Sequence, residues 1–179
     1  MVERTVALLA WTLEEGKRYY WVPRRTFDTD RGKITKHDVL VSGYLDGAQD
    51  QLARLKELAR DQAGMSGEEI DARVRDAGSV SYHTLTTKGK SLSTAHPHLH
   101  HVYDTQLENG QQTAHLVERD DVELMSVYDL WMHLFHGRFP QHAEALYLDC
   151  LFRHGSFDED AGCNVQELSR RLHRKIEFI

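Results

Sequence analysis

The stretch Gly43–Met65 reads GYLDGAQDQLARLKELARDQAGM and constrains the fold more than any other part of the chain. Leu52, Leu55 and Ala59 are spaced i, i+3 and i+7. In a helix this spacing places the three side chains on one apolar stripe. The segment therefore predicts a glycine-containing turn followed by a helix over about Asp50–Gln62.

The rest of the chain combines strand-like and helix-like segments. Predicted strands lie at Val6–Leu13, Arg18–Val22, Val39–Val41, Val80–Thr86, Leu99–Leu107 and Thr113–Val117. Predicted helices lie at Ser66–Ala77, Val127–Phe135 and Pro140–Arg153, and in the tail, where Asn164 and Glu167 form a cap pair ahead of the stripe Val165, Leu168 and Leu172. Pro23 is expected to end the second strand because it cannot donate a ladder hydrogen bond. A polar loop over Arg24–Lys36 is expected next, and the whole pattern predicts a mixed α/β domain.

Size and composition restrict the class of protein. A chain of 179 residues and 20.7 kDa predicts one domain with an ordinary core. The net charge of -6 gives no general reason to bind a nucleic acid polymer or an anionic membrane. No apolar run approaches the roughly 18–20 residues that cross a bilayer, and the N-terminal run lacks a signal-peptide cleavage site. Two cysteines, Cys150 and Cys163, make no disulfide framework, which predicts a cytoplasmic protein.

The spacing of residues in the segment Gly43–Met65 resembles the Nudix box of the Nudix hydrolase superfamily. The family pattern is Gly, five residues, Glu, seven residues, then Arg-Glu-apolar-any-Glu-Glu-any-Gly-apolar. Laid on this chain without a gap, Gly43 and Gly64 take the two glycines and Met65 the last apolar position. The acidic positions fall on Gln49, Leu58, Asp61 and Gln62, and the arginine falls on Glu57. The box is therefore degenerate, since one of its four carboxylates is retained.

Two further segments extend the resemblance. The hairpin VALLAWTLEEGKRYYWVPRR is similar to the first hairpin of the family, which usually ends on a basic residue near the substrate. Arg24 or Arg25 takes that place. Val122–Pro140 resembles the late strand, short helix and glycine turn. The resemblance implies a Nudix-like α/β/α sandwich with a mixed sheet over residues 1–154, a helical insertion at about 66–77, and a C-terminal helical extension at 155–179 packed on the domain.

Family enzymes cleave a nucleoside diphosphate linked to a further group, and they use Mg²⁺ or Mn²⁺. These ions need several oxygen ligands, so carboxylates must converge from one helix face. Leu58 ligates nothing and Gln62 offers only a neutral carbonyl. A rebuilt site is one alternative, with Glu57 and Asp61 at i, i+4 and Asp50 upstream as metal ligands. The other alternative is that Glu57 and Asp61 lie on a solvated face in ordinary helix ion pairs.

The acidic run ERDDVE supplies a further candidate, because some Nudix enzymes take a base or an extra metal ligand from a loop outside the box. Glu118 is the residue of this run that we predict as catalytic, beside Glu57 and Asp61. The alternative is a polar turn before a strand, since acidic residues cluster in solvated loops without function.

Histidines form another pattern. The chain has 12, and His96, His98 and His100 share a face if their segment is extended. With His83 on the preceding strand they form a candidate zinc, nickel or copper site. The alternative is that they contact solvent or one another at the start of a strand. Histidine and arginine are also donors to phosphate. The predicted substrate-binding residues are accordingly Arg24, Arg25, His98 and His100.

These patterns predict an atypical Nudix-type hydrolase of a nucleoside diphosphate-linked or other diphosphate substrate. Its predicted partner is a small phosphate-bearing ligand, and the resemblance also implies a homodimer. Two alternatives stay open. One is a catalytically inactive Nudix-fold module that binds a ligand or a protein, which the loss of the central glutamate favours. The other is a histidine-dependent metal protein on the same scaffold.

Overall fold

The computed structural model describes residues 2–88, 91–108, 110, 113–154 and 176–178. In this part of the chain the strands are β1 (Glu3–Glu14), β2 (Lys17–Thr29), β3 (Gly32–His37), β4 (Val41–Tyr44), β5 (Arg75–Lys88), β6 (Ser91–Gln106), β7 (Val122–Ser126) and β8 (Ile176–Phe178). The helices are α1 (Gln51–Ala63), α2 (Gly67–Arg73), α3 (Ala114–Val117), α4 (Val127–Phe135) and α5 (Gln141–His154).

The described strands form one mixed sheet. Its main order is β3-β2-β1-β6-β5-β8, while β4 pairs with β1 and β7 pairs with β2. β1 and β6 are parallel, with Glu3 opposite His98 and Trp11 opposite Gln106. The other pairings are antiparallel. The parallel pair at the centre brings the start of β1 beside the histidine-rich middle of β6.

Both faces of the sheet are covered. Within β1, the run from Val6 to Trp11 is buried throughout. Leu9 and Trp11 contribute to a core that includes residues of α4 and α5, whereas Leu8 and Ala10 contribute to a second core that includes residues of α1. A strand covered on two faces needs continuous apolar residues, which β1 has. The predicted α/β/α sandwich with a mixed sheet is confirmed.

The helix of the opening segment forms as its sequence predicts. Asp50 is the N-cap, and its Oδ1 accepts a hydrogen bond from the Ala53 backbone N–H at 2.8 Å. Gly64 ends the helix with φ 65°, a left-handed conformation that favours glycine. The predicted capping box of Ser66 and Glu69 is also present at the start of α2.

Three local predictions were wrong, and a fourth, the strand at Val39–Val41, is displaced, since β4 begins only at Val41. First, β2 does not end at Pro23, and the expected loop over Arg24–Lys36 is mostly a β-hairpin of β2 and β3. The β1 pairing of β2 ends at Tyr20 and its β3 pairing begins at Arg24. Pro23 lies between these two pairings and opposite Val122 of β7, where the adjacent cross-strand hydrogen bond comes from the Arg24 N–H to the Asp121 carbonyl. The missing N–H therefore interrupts no ladder.

Second, the segment predicted as a strand at Thr113–Val117 contains the short helix α3. The backbone N–H groups of Leu116 and Val117 both donate to the Thr113 carbonyl, and the Leu116 side chain is fully buried in the α1 core. Tertiary burial of one leucine thus overrides the local strand preference. Third, α2 is shorter than the predicted Ser66–Ala77, because Arg75 already pairs with Asp104 in the β5–β6 hairpin.

The predicted tail helix and its cap pair, Asn164 and Glu167, lie outside the described residues, and the division at residue 154 stays a prediction. None of the described helices is both long and apolar enough to span a membrane.

Candidate functional site

A cavity of about 670 Å³ lies where the first residues of β1, the second half of β2, the strand β4, the middle of β6 and the start of α5 meet. Charged and imidazole side chains line much of it. They include Glu3, Arg25, Asp38, His98, His100 and His142. A concave site of this size with a few convergent polar groups is typical of a small-molecule site.

Asp38 is the most buried charged group of the cavity, with 2% of its surface exposed. It follows the last residue of β3, where the chain turns toward β4. Its Oδ1 accepts from the Val39 backbone N–H at 2.8 Å and from Nε2 of His142, also at 2.8 Å. The guanidinium of Arg25 lies 3.5 Å from its Oδ2. A buried carboxylate needs such compensation, and here three donors supply it.

The contact with Asp38 determines how His142 can act. Since a carboxylate accepts hydrogen bonds, Nε2 of His142 carries the proton. Nδ1 of this ring is then the nitrogen that can accept a proton from another group. A histidine oriented by a buried carboxylate is an arrangement suited to general base catalysis.

Two members of the predicted histidine cluster, His98 and His100, have described side chains. His98 and His100 lie on one face with parallel rings 6.4 Å apart, as the extended spacing predicts. The side chains of His83 and His96 lie outside the described residues. Nδ1 of His98 contacts Glu3 at 2.9 Å, while His100 contacts Tyr82 through Nε2 at 2.9 Å. The rings are therefore held by protein groups in the geometry observed.

His100 is a buried, neutral imidazole. Its Nδ1 contacts the hydroxyl of Thr5, so both ring nitrogens have protein partners. Burial, and then the nearby His142, His98 and His101, lower its pKa to about 3. The side chain thus has no unpaired nitrogen for a ligand, and His98 is the more exposed of the two predicted substrate-binding histidines.

The box positions of α1 hold the fold together. Leu58 is buried, and a Cβ added to Gly43 would lie 2.8 Å from its Cδ1, so the glycine makes room for the leucine. Both polar atoms of the Gln62 side chain also make hydrogen bonds within the protein. Its Nε2 donates to the Ser42 carbonyl at 2.9 Å, and its Oε1 accepts from the Ser42 N–H at 3.0 Å. The guanidinium of Arg25 donates to the same Oε1 at 3.2 Å.

These contacts decide how far the box fits a divalent ion. A cation next to Gln62 would meet the positive charge of Arg25. Asp50 and Asp61 stand at opposite ends of α1, about 16 Å apart along the helix axis at 1.5 Å per residue. Mg²⁺ binds its ligands at about 2.0–2.1 Å, so Asp50 and Asp61 do not share one ion. The structure therefore brings Glu57 and Asp61 onto the same helix but does not bring Asp50 beside Asp61.

Glu57 and Asp61 are both exposed, at 51% and 69% of the side chain. Glu57 contacts Arg54 at 3.1 Å, and Asp61 contacts Arg60 at 3.5 Å. These are the ordinary helix ion pairs of the alternative interpretation.

The loop with the acidic run lies against the C-terminal end of α1, since Arg119 donates to the Gln62 carbonyl at 2.8 Å. Glu118 is exposed beside it.

The side chains of the two predicted substrate-binding arginines, Arg24 and Arg25, lie in different places. The guanidinium of Arg24 donates to the Asp120 carbonyl of this loop, whereas Arg25 lines the cavity.

Asp38 and His142 were missed by the sequence reasoning. Asp38 directly precedes the apolar run Val39–Val41, and a buried acid at that position leaves no distinctive pattern. His142 follows Pro140 in the first turn of α5, where the spacing suggests only a helix start. Because the two residues are far apart in sequence, no local pattern indicates that they form a pair.

No family model matches this chain. It is 25% identical over 171 residues to the uncharacterized protein YJR142W of Saccharomyces cerevisiae, covering 90% of this chain and 49% of that protein. The chain therefore spans about half the length of this curated relative.

The fold is similar to solved Nudix structures. One is the Ap4A hydrolase of C. elegans, at 10% identity and a TM-score of 0.43, covering 74% of this chain and 86% of that one. Another is the NUDIX domain of Shewanella oneidensis NrtR complexed with ADP ribose, at 11% identity and a TM-score of 0.44, covering 72% of this chain and 75% of that one. Shewanella oneidensis NrtR complexed with a 27mer DNA matches at 10% identity and a TM-score of 0.49, covering 80% of this chain and 57% of that one. The strand, loop and capped helix between Gly43 and Gly64, on a mixed sheet between helices, make this a Nudix-like fold.

Proposed function

We propose that this chain binds a small phosphate-bearing ligand in the cavity between β1, β4, β6 and α5, with Arg25 as its cationic contact. The observation that supports the proposal most is a guanidinium on the wall of a cavity of about 670 Å³. A planar guanidinium is the side chain best matched to a phosphate group. His98 and His142 line the same wall.

Arg25 is held in place for this role. Its Nη2 donates to the Leu40 carbonyl at 2.6 Å and to Gln62, and 27% of the side chain remains exposed. A guanidinium fixed by protein contacts loses less entropy when a ligand binds, which increases affinity. In this proposal the fixed arginine, which also pairs with Asp38, donates hydrogen bonds to the phosphate at the place where Nudix enzymes use divalent ions.

The experiment is calorimetric titration of the purified chain with a panel of nucleoside diphosphate derivatives, ADP-ribose and ADP among them, in EDTA. Arg25→Gln is expected to weaken binding at least about tenfold, which corresponds to about 1.4 kcal/mol. Arg24→Gln is the matched control, because Arg24 contacts the Asp120 carbonyl instead. If no member of the panel binds, or if both variants bind like the wild type, the proposal fails.

Hydrolysis of a diphosphate is a second function, favoured by the pair of His142 and Asp38. An imidazole with Nδ1 available on the cavity wall can take a proton from water as the water oxygen bonds to phosphorus. The bridging P–O bond of the diphosphate breaks in the same step, and its electron pair leaves with the departing phosphate. The carboxylates predicted as catalytic, Glu57, Asp61 and Glu118, belong to this proposal as alternative bases or ion contacts. No step is assigned to the Mg²⁺ or Mn²⁺ of the family, because Asp50 and Asp61 lie too far apart along α1 to share one ion.

The test is product release from the same panel, with and without Mg²⁺ or Mn²⁺. His142→Asn is expected to abolish turnover while binding persists, and the exposed His136→Asn serves as control. Turnover lost instead in Glu57→Gln, Asp61→Asn or Glu118→Gln would assign the chemistry to the box helix and its loop. Binding without turnover in the wild type would leave the inactive ligand-binding module.

The proposal also includes a cytoplasmic location, a homodimer, and no nucleic acid polymer or membrane as partner. The net charge of -6 supports the absence of a polyanion partner. Light scattering on the purified chain tests the dimer, because a monomeric mass would exclude it.

A further inference from the structure

Three potential metal ligands meet at a place that the sequence patterns did not indicate. His37 ends β3, Glu123 lies on β7, and His133 lies on α4. Within the described part of the chain, one ligand atom from each of these residues lies within 4.8 Å of the others. In the sheet, His37 pairs with Arg24 of β2 and Glu123 pairs with Val22 of β2, so one strand sets the spacing of both.

The two imidazoles are arranged as metal-binding histidines usually are. Nδ1 of His133 contacts the Asp129 carbonyl at 2.7 Å, so Nδ1 carries the proton and Nε2 keeps its lone pair. A backbone carbonyl on the second ring nitrogen is the common support of a ligating histidine. The rings of His37 and His133 lie 4.7 Å apart and nearly perpendicular.

His37 provides an independent indication. Its Nδ1 is buried and has no hydrogen-bond partner among the described residues. A buried nitrogen without a partner costs free energy, so it stores strain or meets a water or an ion that the protein takes up.

The charges nearby define what can bind. Arg24 and Arg138 add positive potential at His37. Glu123, an exposed carboxylate, is therefore the group that makes a dication acceptable. Two imidazoles and one carboxylate are ligands of Zn²⁺, whereas Mg²⁺ prefers oxygen ligands alone.

We propose that His37, Glu123 and His133 form a Zn²⁺ site with a fourth position for water. Three protein ligands of this kind are an established zinc set, with Zn–N distances of about 2.0–2.1 Å. Tetrahedral coordination at that distance separates the ligand atoms by about 3.3 Å, so small side-chain rotations close the present spacing. The ion would join the end of β3, the strand β7 and the helix α4. The site uses none of the cavity residues and does not depend on the proposed function.

The test uses the full chain after dialysis against a chelator. The probes are Zn²⁺ in competition with a chromophoric chelator, and Co²⁺ followed by its visible absorption. The wild type is expected to bind one equivalent of Zn²⁺ and to show tetrahedral Co²⁺ bands. Glu123→Gln and His133→Ala are each expected to weaken binding at least about tenfold, as the loss of a ligand or of its support does.

Two controls separate this site from other histidines. His136→Ala changes an exposed ring on the same helix end, and His98→Ala changes the cavity, so both are expected to bind like the wild type. Glu123 is exposed, so Glu123→Gln leaves the fold intact, which the unfolding temperature without metal verifies. Absence of binding to the wild type, or binding unchanged in Glu123→Gln and His133→Ala, would overturn the site.

Discussion

Substitution of Gly43 by alanine tests the assignment of Leu58 as a core residue. The new Cβ would lie 2.8 Å and 2.9 Å from the two Cδ atoms of Leu58, closer than van der Waals contact allows. Leu58 is 7% exposed and belongs to the core below α1, so it cannot simply swing into solvent. Gly43 does not have a positive φ, so the backbone itself tolerates alanine.

The magnitude follows from overpacking. An extra methyl group in a well-packed core costs about 1–3 kcal/mol. In a domain of this size that lowers the unfolding temperature by about 2–4 °C per kcal/mol. Leu58→Ala alone is expected to cost about 2–5 kcal/mol because it leaves a cavity. In the double variant the new methyl group enters that cavity, so the loss is expected to be close to that of Leu58→Ala alone.

The assay is urea unfolding of the wild type, the two single variants and the double variant. The expected coupling free energy is about 1–3 kcal/mol, equal to the cost of Gly43→Ala itself. Gly67→Ala is the matched control, since its Cβ would meet the Lys56 side chain only at an ordinary 3.7 Å. Additive losses, or an unaffected Gly43→Ala, would refute the packing of Leu58 on Gly43 and with it the reason for the leucine in the box.

Three further predictions concern single residues. The pKa of His100 is about 3 in the folded chain, below the 6.5 of an unfolded histidine. Between these two pH values the unfolded chain binds more protons than the folded chain, so the free energy of unfolding decreases as pH falls below 6.5. His100→Gln is expected to flatten the fall in unfolding free energy by up to about 1.4 kcal/mol per pH unit, measured by urea unfolding at several pH values, whereas an unchanged slope would contradict its burial as a neutral ring. Burial raises the pKa of the Cys150 thiol to about 11, so in a Cys163→Ser background Cys150 should react with iodoacetamide at pH 8 only after unfolding; rapid labelling of the native chain would contradict this. Asp50→Ala removes the N-cap of α1 and should cost about 1 kcal/mol in thermal unfolding, with Asp46→Ala near zero.

The sequence predicted well those elements that its local patterns determine. The apolar stripe and the left-handed Gly64 were sufficient for α1, and Ser66 with Glu69 for the start of α2. The architecture also followed, because alternating strand and helix patterns leave few ways to cover a sheet. The limits of β2 could not be predicted, since the tolerance of Pro23 depends on where the strand changes partners.

Only part of the candidate site could be predicted from the sequence. Arg25 and His98 line the cavity, and the strand spacing indicated that His98 and His100 share a face. The pair of Asp38 and His142 joins residues far apart in sequence, so no local spacing indicates it. His37, Glu123 and His133 come from three elements, and their convergence likewise depends on tertiary structure.

We propose that this chain recognises phosphate through Arg25 and not through ions on the box helix. Titration of a nucleoside diphosphate derivative into the wild type, first in EDTA and then in excess Mg²⁺, tests it most directly, with Arg25→Gln and Arg24→Gln in parallel. We expect binding in EDTA that Mg²⁺ does not strengthen and that Arg25→Gln weakens at least about tenfold. Binding that requires Mg²⁺ and is indifferent to Arg25→Gln would contradict the account.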